Sequence, residues 1–392
     1  MRKSILAFVL GCCAIGSWAQ QTVSLDSCII EGHVSDVADG VNVLLYRHEG
    51  RMSPLVDSTK VKNGHFRLAV MPLTENQKLL IHTSMDQMDF QFFWVNPGKH
   101  TTITGKGNAA VDWHIENNSL CQKEANAIIA FQREKMPRAL EAQKEIYSLY
   151  PIMDDPNISQ EKKKEVGNKG RALSKERDSI KAAHVEEYID FLADRPYTPV
   201  FLEELTEIAF VIEGVDNKAV VEKAHGLYSK IPVEYQSEPD AIQVRSMFYP
   251  NAIAKGGKIA DFTLYDRKGN EHHLNEFTGK YVLLEFSGKG CPPCEAAKPL
   301  LNEIYSKYSD KLEIITVSID ATKHWMESID DKVTWHEWND KKQAAEIKAR
   351  YGVLGIPHFF FVSPEGNIIN QCSGYGDGFK QKLAEVFPFI KQ

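Results

Sequence analysis

Several things are scarce in this chain of 392 residues, and each scarcity removes a class of function. Basic charge does not dominate: 46 Lys and Arg stand against 53 Asp and Glu, a formal net charge of −7. With no basic cluster either, a nucleic-acid-binding surface is excluded. No apolar run approaches the ~20 residues that cross a bilayer as a helix. Cysteine is sparse, with seven in all, one Cys-x-x-Cys and no Cys/His pair at ligand spacing. A four-ligand zinc site therefore lacks its partners. There is no low-complexity tract; 43% hydrophobic and 25% charged residues describe a globular chain long enough for two or three domains.

What is present centres on Tyr281 to Cys294. Tyr281-Val282-Leu283-Leu284-Glu285-Phe286 reads as a buried strand after the turn Gly279-Lys280, and Ser287-Gly288-Lys289-Gly290 as a loop. Cys291-Pro292-Pro293-Cys294 then opens a helix. Cys291 falls at the N-cap and Pro292 at the first helical position, where a missing N–H costs nothing. The helix dipole favours a thiolate at Cys291, which makes it the candidate nucleophile and Cys294 the resolving thiol. A loop this short constrains the unfolded chain little, so the pair points to redox exchange rather than stapling. A peroxidatic cysteine follows a Pro-led motif with Thr or Ser three positions ahead, where this chain has Gly288 and Cys291. Pro299 should kink the helix one turn later.

Together with Leu284-Glu285-Phe286, Pro299 and Gly355-Ile356-Pro357, this motif resembles thioredoxin, and most of all its bacterial relatives of the TlpA/ResA type, over about residues 255–392. The resemblance implies a thiol–disulfide oxidoreductase on a thioredoxin fold, needing no cofactor and no metal. Its partners would be protein disulfides and a membrane-bound thiol electron donor. Ile356-Pro357 should be cis and lie beside the dithiol, where backbone can pair with an extended substrate. Glu285 matches the buried acid that relays a proton to and from Cys294, and burial would raise its pKa toward the operating pH. Gly290 stands where thioredoxin has tryptophan, and His358 where it has threonine; with Ile356 they are the candidate substrate contacts. The segment from Asp320 to Asn339, with Trp325, Trp335 and Trp338, matches the extra insertion of the TlpA/ResA group.

The remaining chain divides by pattern. Arg2-Lys3, the apolar run Ile5 to Gly16 and Ser17-Trp18-Ala19 read as a signal peptide, residues 1–19, which places the protein in the periplasm. Cys12 follows Leu10-Gly11, where a lipoprotein signal wants small residues, so a soluble exported protein is expected. Residues 25–106 carry seven short strand patterns with Asn63-Gly64 and Asn96-Pro97-Gly98 turns, a β-sandwich-like domain. The run Val56-Asp57-Ser58-Thr59 to Asn63-Gly64-His65-Phe66 resembles the domain of unknown function that precedes thioredoxin-like domains in exported bacterial proteins. Its aromatic run, Phe90, Phe92, Phe93 and Trp94, reads as core. Residues 115–250 have helical spacing, with a break between Pro151 and Pro156 and a charged helix face from Glu161 to Lys181, a helical connector. Lys255-Gly256-Gly257-Lys258 reads as the linker into a thioredoxin-like domain, 256–392. The fold class is thus multidomain α/β. Cys28, Cys121 and Cys372 read as small buried hydrophobes, with a Cys28–Cys121 bridge open.

The function expected is an exported reductase of envelope disulfides. Two readings compete: an oxidase or isomerase, and an envelope binding protein with a vestigial dithiol.

Overall fold

The computed structural model describes residues 27–390, except 51–52, 85–89, 156, 278, 329 and 331–332. The expected signal peptide lies outside the described residues, as does Pro156.

The chain opens with strands β1 (Cys28–Ser35), β2 (Asn42–Arg47), β3 (Leu55–Lys60), β4 (His65–Val70), β5 (Gln77–Thr83), β6 (Phe90–Val95), β7 (His100–Lys106) and β8 (His114–Asn117). They form two four-stranded sheets, ordered β4-β1-β7-β8 and β3-β2-β5-β6. Alternating residues face inward, so Ile30, Leu68, Ile103 and Ile115 of one sheet meet Val43, Leu45, Leu79, Ile81 and Phe93 of the other. β1 and β7 run parallel, whereas the other pairings are antiparallel. The Asn63-Gly64 turn joins strands of different sheets, carrying the chain around a corner of the sandwich. A Cβ on Gly64 would stand 2.6 Å from the Val34 carbonyl oxygen, so only glycine fits.

Seven helices follow: α1 (Leu120–Lys135), α2 (Pro137–Asp154), α3 (Gln160–Ala183), α4 (Val185–Ala193), α5 (Pro199–Ile212), α6 (Lys218–Tyr228) and α7 (Pro239–Phe248). Ser119, Ser159, Thr198 and Asn217 cap α1, α3, α5 and α6 through their side chains. The break expected between Pro151 and Pro156 comes after Asp154: α2 runs through Pro151, and its stripe Ala142, Ile146 and Leu149 packs on Val166 and Leu173 of α3. The aromatic run divides between cores. Phe93 sits inside the sandwich, while Trp94 joins the helical core with Cys121, Ile128 and Leu205. Phe92 is partly exposed beneath the Lys78 ammonium. Cys28 and Cys121 are both free and buried in separate cores, so no bridge joins them.

The last part contains β9 (Thr263–Tyr265), β10 (Glu271–His273), β11 (Tyr281–Ser287), α8 (Pro292–Tyr308), β12 (Leu312–Ser318), α9 (Thr322–Met326), β13 (His336–Trp338), α10 (Ala345–Tyr351), β14 (His358–Val362), β15 (Ile368–Ser373) and α11 (Asp377–Val386). The five-stranded sheet β13-β12-β11-β14-β15 has β11 at its centre, parallel to β12 and antiparallel to β14. Helices cover both faces, which is why β11 and β12 are buried along nearly their whole length. Leu283 packs with Ala297 and Leu301 of α8 and with Phe379 of α11; Leu284 and Phe286 face Ile347 and Tyr351 of α10. This is a thioredoxin-like fold. α8 continues through Pro299 to Tyr308.

The segment read as a linker is paired. Gly256 N–H donates to Ile368 O at 2.8 Å, Ile368 N–H to Gly257 O at 2.8 Å, and Ile259 N–H to Gly366 O at 3.0 Å. Ile253, just upstream, is buried in the core of this sheet. Glycine-rich sequence suggests flexibility, but here it lets the backbone lie against the start of β15.

Candidate active site

β11 delivers the chain to its C-terminal edge, and Gly288-Lys289-Gly290 turns it into α8. Gly290 has φ of +71° and nothing within 4 Å of the place a Cβ would occupy. Backbone conformation rather than crowding therefore calls for glycine, which accounts for its departure from an aromatic residue. Asp320 holds the loop from below: its Oδ2 accepts the Lys289 N–H at 2.7 Å and the Ser318 hydroxyl at 3.3 Å.

Cys291 is the N-cap of α8, and Pro292 and Pro293 fill the next two positions. Cys291 and Cys294 are joined as a disulfide. The sulfurs are largely covered, Cys291 being 3% exposed and Cys294 1%. The Cys294 N–H donates to Cys291 Sγ at 3.3 Å, while the next amide, Glu295 N–H, is taken by Cys291 O at 3.1 Å. Two prolines and one committed amide leave a single first-turn donor for the sulfur.

Glu285 lies on the same face of β11 as Leu283, the face covered by α8, and is 3% exposed. Its Oε2 accepts the Thr316 hydroxyl at 2.7 Å across the β11–β12 pair. Thr316 Oγ1 in turn accepts the Trp335 indole N–H at 2.9 Å. Burial pushes the Glu285 carboxyl up to about 7, against the lowering effect of the Thr316 bond. Glu337, Lys298 and Glu295 are its charged neighbours.

Across the loop, the Ile356–Pro357 peptide is cis, and Ile356 O lies 3.9 Å from Cys291 Sγ. His358 begins β14, half-buried, stacked on Phe360 at 4.8 Å with Nε2 3.3 Å from Gln371 Oε1. Burial lowers its pKa, so its imidazole is neutral at neutral pH and brings no charge to the sulfurs. The fold thus brings Cys291, Cys294, Gly290, Ile356, Pro357 and His358 to one end of the sheet, with Glu285 beneath the helix. Three residues the sequence did not single out belong with them. Asp320 and Thr316 are polar positions at or inside a buried strand, the same sign that marked Glu285. Trp335 carried no sign beyond its place in the insertion.

Comparison with known proteins bears directly on this arrangement. A thioredoxin-like family profile matches residues 279–368, which include the dithiol, Glu285 and the cis proline. The thiol-disulfide oxidoreductase ResA of Bacillus thuringiensis is 34% identical over 140 residues, 34% of this chain and 78% of that protein. The chain belongs to the ResA-type thiol–disulfide oxidoreductases. ResA of Geobacillus thermodenitrificans is 31% identical over 142 residues, 35% of this chain and 80% of its own. A solved thioredoxin domain of a Bacteroides vulgatus thiol-disulfide oxidoreductase is 30% identical, with a TM-score of 0.32, covering 35% of this chain and 100% of that one. The ResA-type likeness falls on the C-terminal third; the sandwich and helices precede it. Among the described residues, no helix is long and apolar enough to cross a membrane.

Proposed function

We propose that this oxidoreductase reduces disulfides of envelope proteins after export, with Cys291 as nucleophile and Cys294 as resolving thiol. The carrying observation is the setting of Cys291: at a helix start, one amide on its sulfur and the Ile356 carbonyl alongside. In the reduced protein the Cys291 thiolate attacks a substrate disulfide, forming a mixed disulfide and expelling one substrate thiolate, which takes a proton from water. Glu285 accepts the Cys294 proton; Cys294 then attacks Cys291 Sγ, expelling the second substrate thiolate and closing the disulfide. The substrate gains two electrons and the dithiol loses two, to be restored by a thiol donor at the membrane. Ile356 and His358 border the approach, and Gly290 leaves it without a side chain. Residues 256–392 carry this chemistry; the sandwich (25–106) and helical connector (115–250) hold none of the residues in these steps.

Trapping tests the order of attack. Cys294→Ser should accumulate mixed disulfides with envelope proteins, and Cys291→Ser few. Equal trapping by the two variants would refute the assignment, and the captured proteins identify the substrates.

A further inference from the structure

The hydrogen bonds beneath the dithiol run in one direction, and that direction has a consequence. An indole N–H can only donate. Thr316 Oγ1 receives the Trp335 N–H at 2.9 Å, so its own proton is directed to its other close partner, Glu285 Oε2 at 2.7 Å. The hydroxyl is thereby fixed as a donor toward the carboxyl. All three groups are buried, with Glu285 on β11, Thr316 on β12, and Trp335 within the segment between α9 and β13. That segment belongs to the insertion read from Asp320 to Asn339. The insertion also lines a small polar cavity of about 60 Å³ under the catalytic loop, through Trp325, Ser328 and Glu337, with Thr316, Lys298 and Glu295 on the other walls.

We propose that Trp335 and Thr316 are positioning residues that hold Glu285 ionisable, so that the insertion sets the pH at which Cys294 can be deprotonated. The proposal rests on the reading of Glu285 as the proton acceptor. A donor aimed at Oε2 stabilises the carboxylate and opposes desolvation, which favours the neutral acid. The charged groups facing Glu285 add little net bias. Lys298 of α8 is paired with Glu295 at 2.9 Å and with Asp330 at 3.1 Å, and Glu337 of β13 with Arg267 at 3.0 Å. The Thr316 hydroxyl is the hydrogen bond that reaches the carboxyl directly.

The test follows the protonation of Glu285 and the chemistry separately. Difference infrared spectra of the full-length protein, with Glu285→Gln as the blank, read the carboxyl itself as a function of pH. Stopped-flow resolution of a glutathione mixed disulfide reads Cys294. Thr316→Val should move the carboxyl titration upward by about one pH unit or more. Trp335→Phe should move it the same way by less, and Thr316→Ser should restore it. The resolution profile should move in parallel. An unmoved infrared titration in Thr316→Val, or a shift that Thr316→Ser fails to reverse, overturns the proposal. If instead the titration moves while resolution keeps its profile in every variant, including Glu285→Gln, the placement of Glu285 in proton transfer is what fails.

Discussion

A carboxyl group kept out of water couples catalysis to stability through one number. Glu285 ionises near 4.5 in an unfolded chain and at about 7 in the fold, because burial disfavours the anion. Folding therefore takes up a proton between those values. Its contribution to stability is complete below about pH 4.5 and is lost as the pH rises through about 7, a swing of order 3 kcal/mol. Glu285→Gln keeps the shape and the acceptor but carries no charge. Thermal unfolding of the oxidised variant should show greater stability than wild type near pH 8, with the gap closing toward pH 5. The same substitution should slow resolution at neutral pH. A stabilised but slow variant is the joint signature; unchanged kinetics would reduce Glu285 to a strand residue. At Gly290, where φ is +71°, Gly290→Ala should cost about 1 kcal/mol in urea unfolding through backbone strain alone.

At the scale of elements, the start of α8 sets the redox character. Thiolates at helix starts are held by free amides, and here Pro292, Pro293 and the Glu295-to-Cys291 bond leave only the Cys294 N–H. The Cys291 pKa should lie only modestly below about 8.5. The neutral His358 does not lower it further. A redox titration against glutathione should therefore give a potential nearer thioredoxin's, about −270 mV, than the roughly −120 mV of strong oxidants. A value at the oxidising end would overturn the reductase direction.

Elements also show what could be read in advance. Tyr281 to Phe286 and the Cys-Pro-Pro-Cys helix start were legible because local pattern and tertiary demand agree there. Glu285 stood out because a carboxylate interrupts an apolar strand. Thr316 did not, since threonine suits any strand, and its partner Trp335 reaches it only through packing of the insertion. The seven N-terminal strands were visible, but not β8, which has four residues, nor the parallel pairing of β1 with β7, which depends on partners about seventy residues apart. The break between Pro151 and Pro156 was visible, but not that α2 would pass through Pro151 to Asp154, since the α2–α3 contact is tertiary.

The three parts of the molecule are tied at named points. Trp94 of the sandwich enters the helical core and its N–H donates to Gln122 Oε1 at 2.8 Å, while Lys78 meets Glu203 at 2.7 Å. α7 reaches α10 through Arg245 and Glu346 at 3.1 Å, and Glu49 approaches His324 of α9 at 3.3 Å. The exposed Arg245–Glu346 pair contributes little. Ile253 and the backbone bonds of Gly256, Gly257 and Ile259 contribute more, since they bury apolar surface and complete a sheet. A fragment beginning at Asn251 should be more stable to urea than one beginning at Asp261 by about 3 kcal/mol. Equal midpoints would show that the upstream segment is only a tether.

That paired segment has another effect. β15 is an outer strand, and its first residue, Ile368, with Gly366 and Asn367 just before it, is already occupied by the chain from Gly256 to Ile259. At the opposite flank β13 is three residues long, and Tyr265 pairs with Asn339 just beyond it. Open strand edges are templates onto which a foreign chain can zip. At Ile368, which that segment pairs, and along the three-residue β13, the sheet offers an incoming chain little free backbone to zip onto.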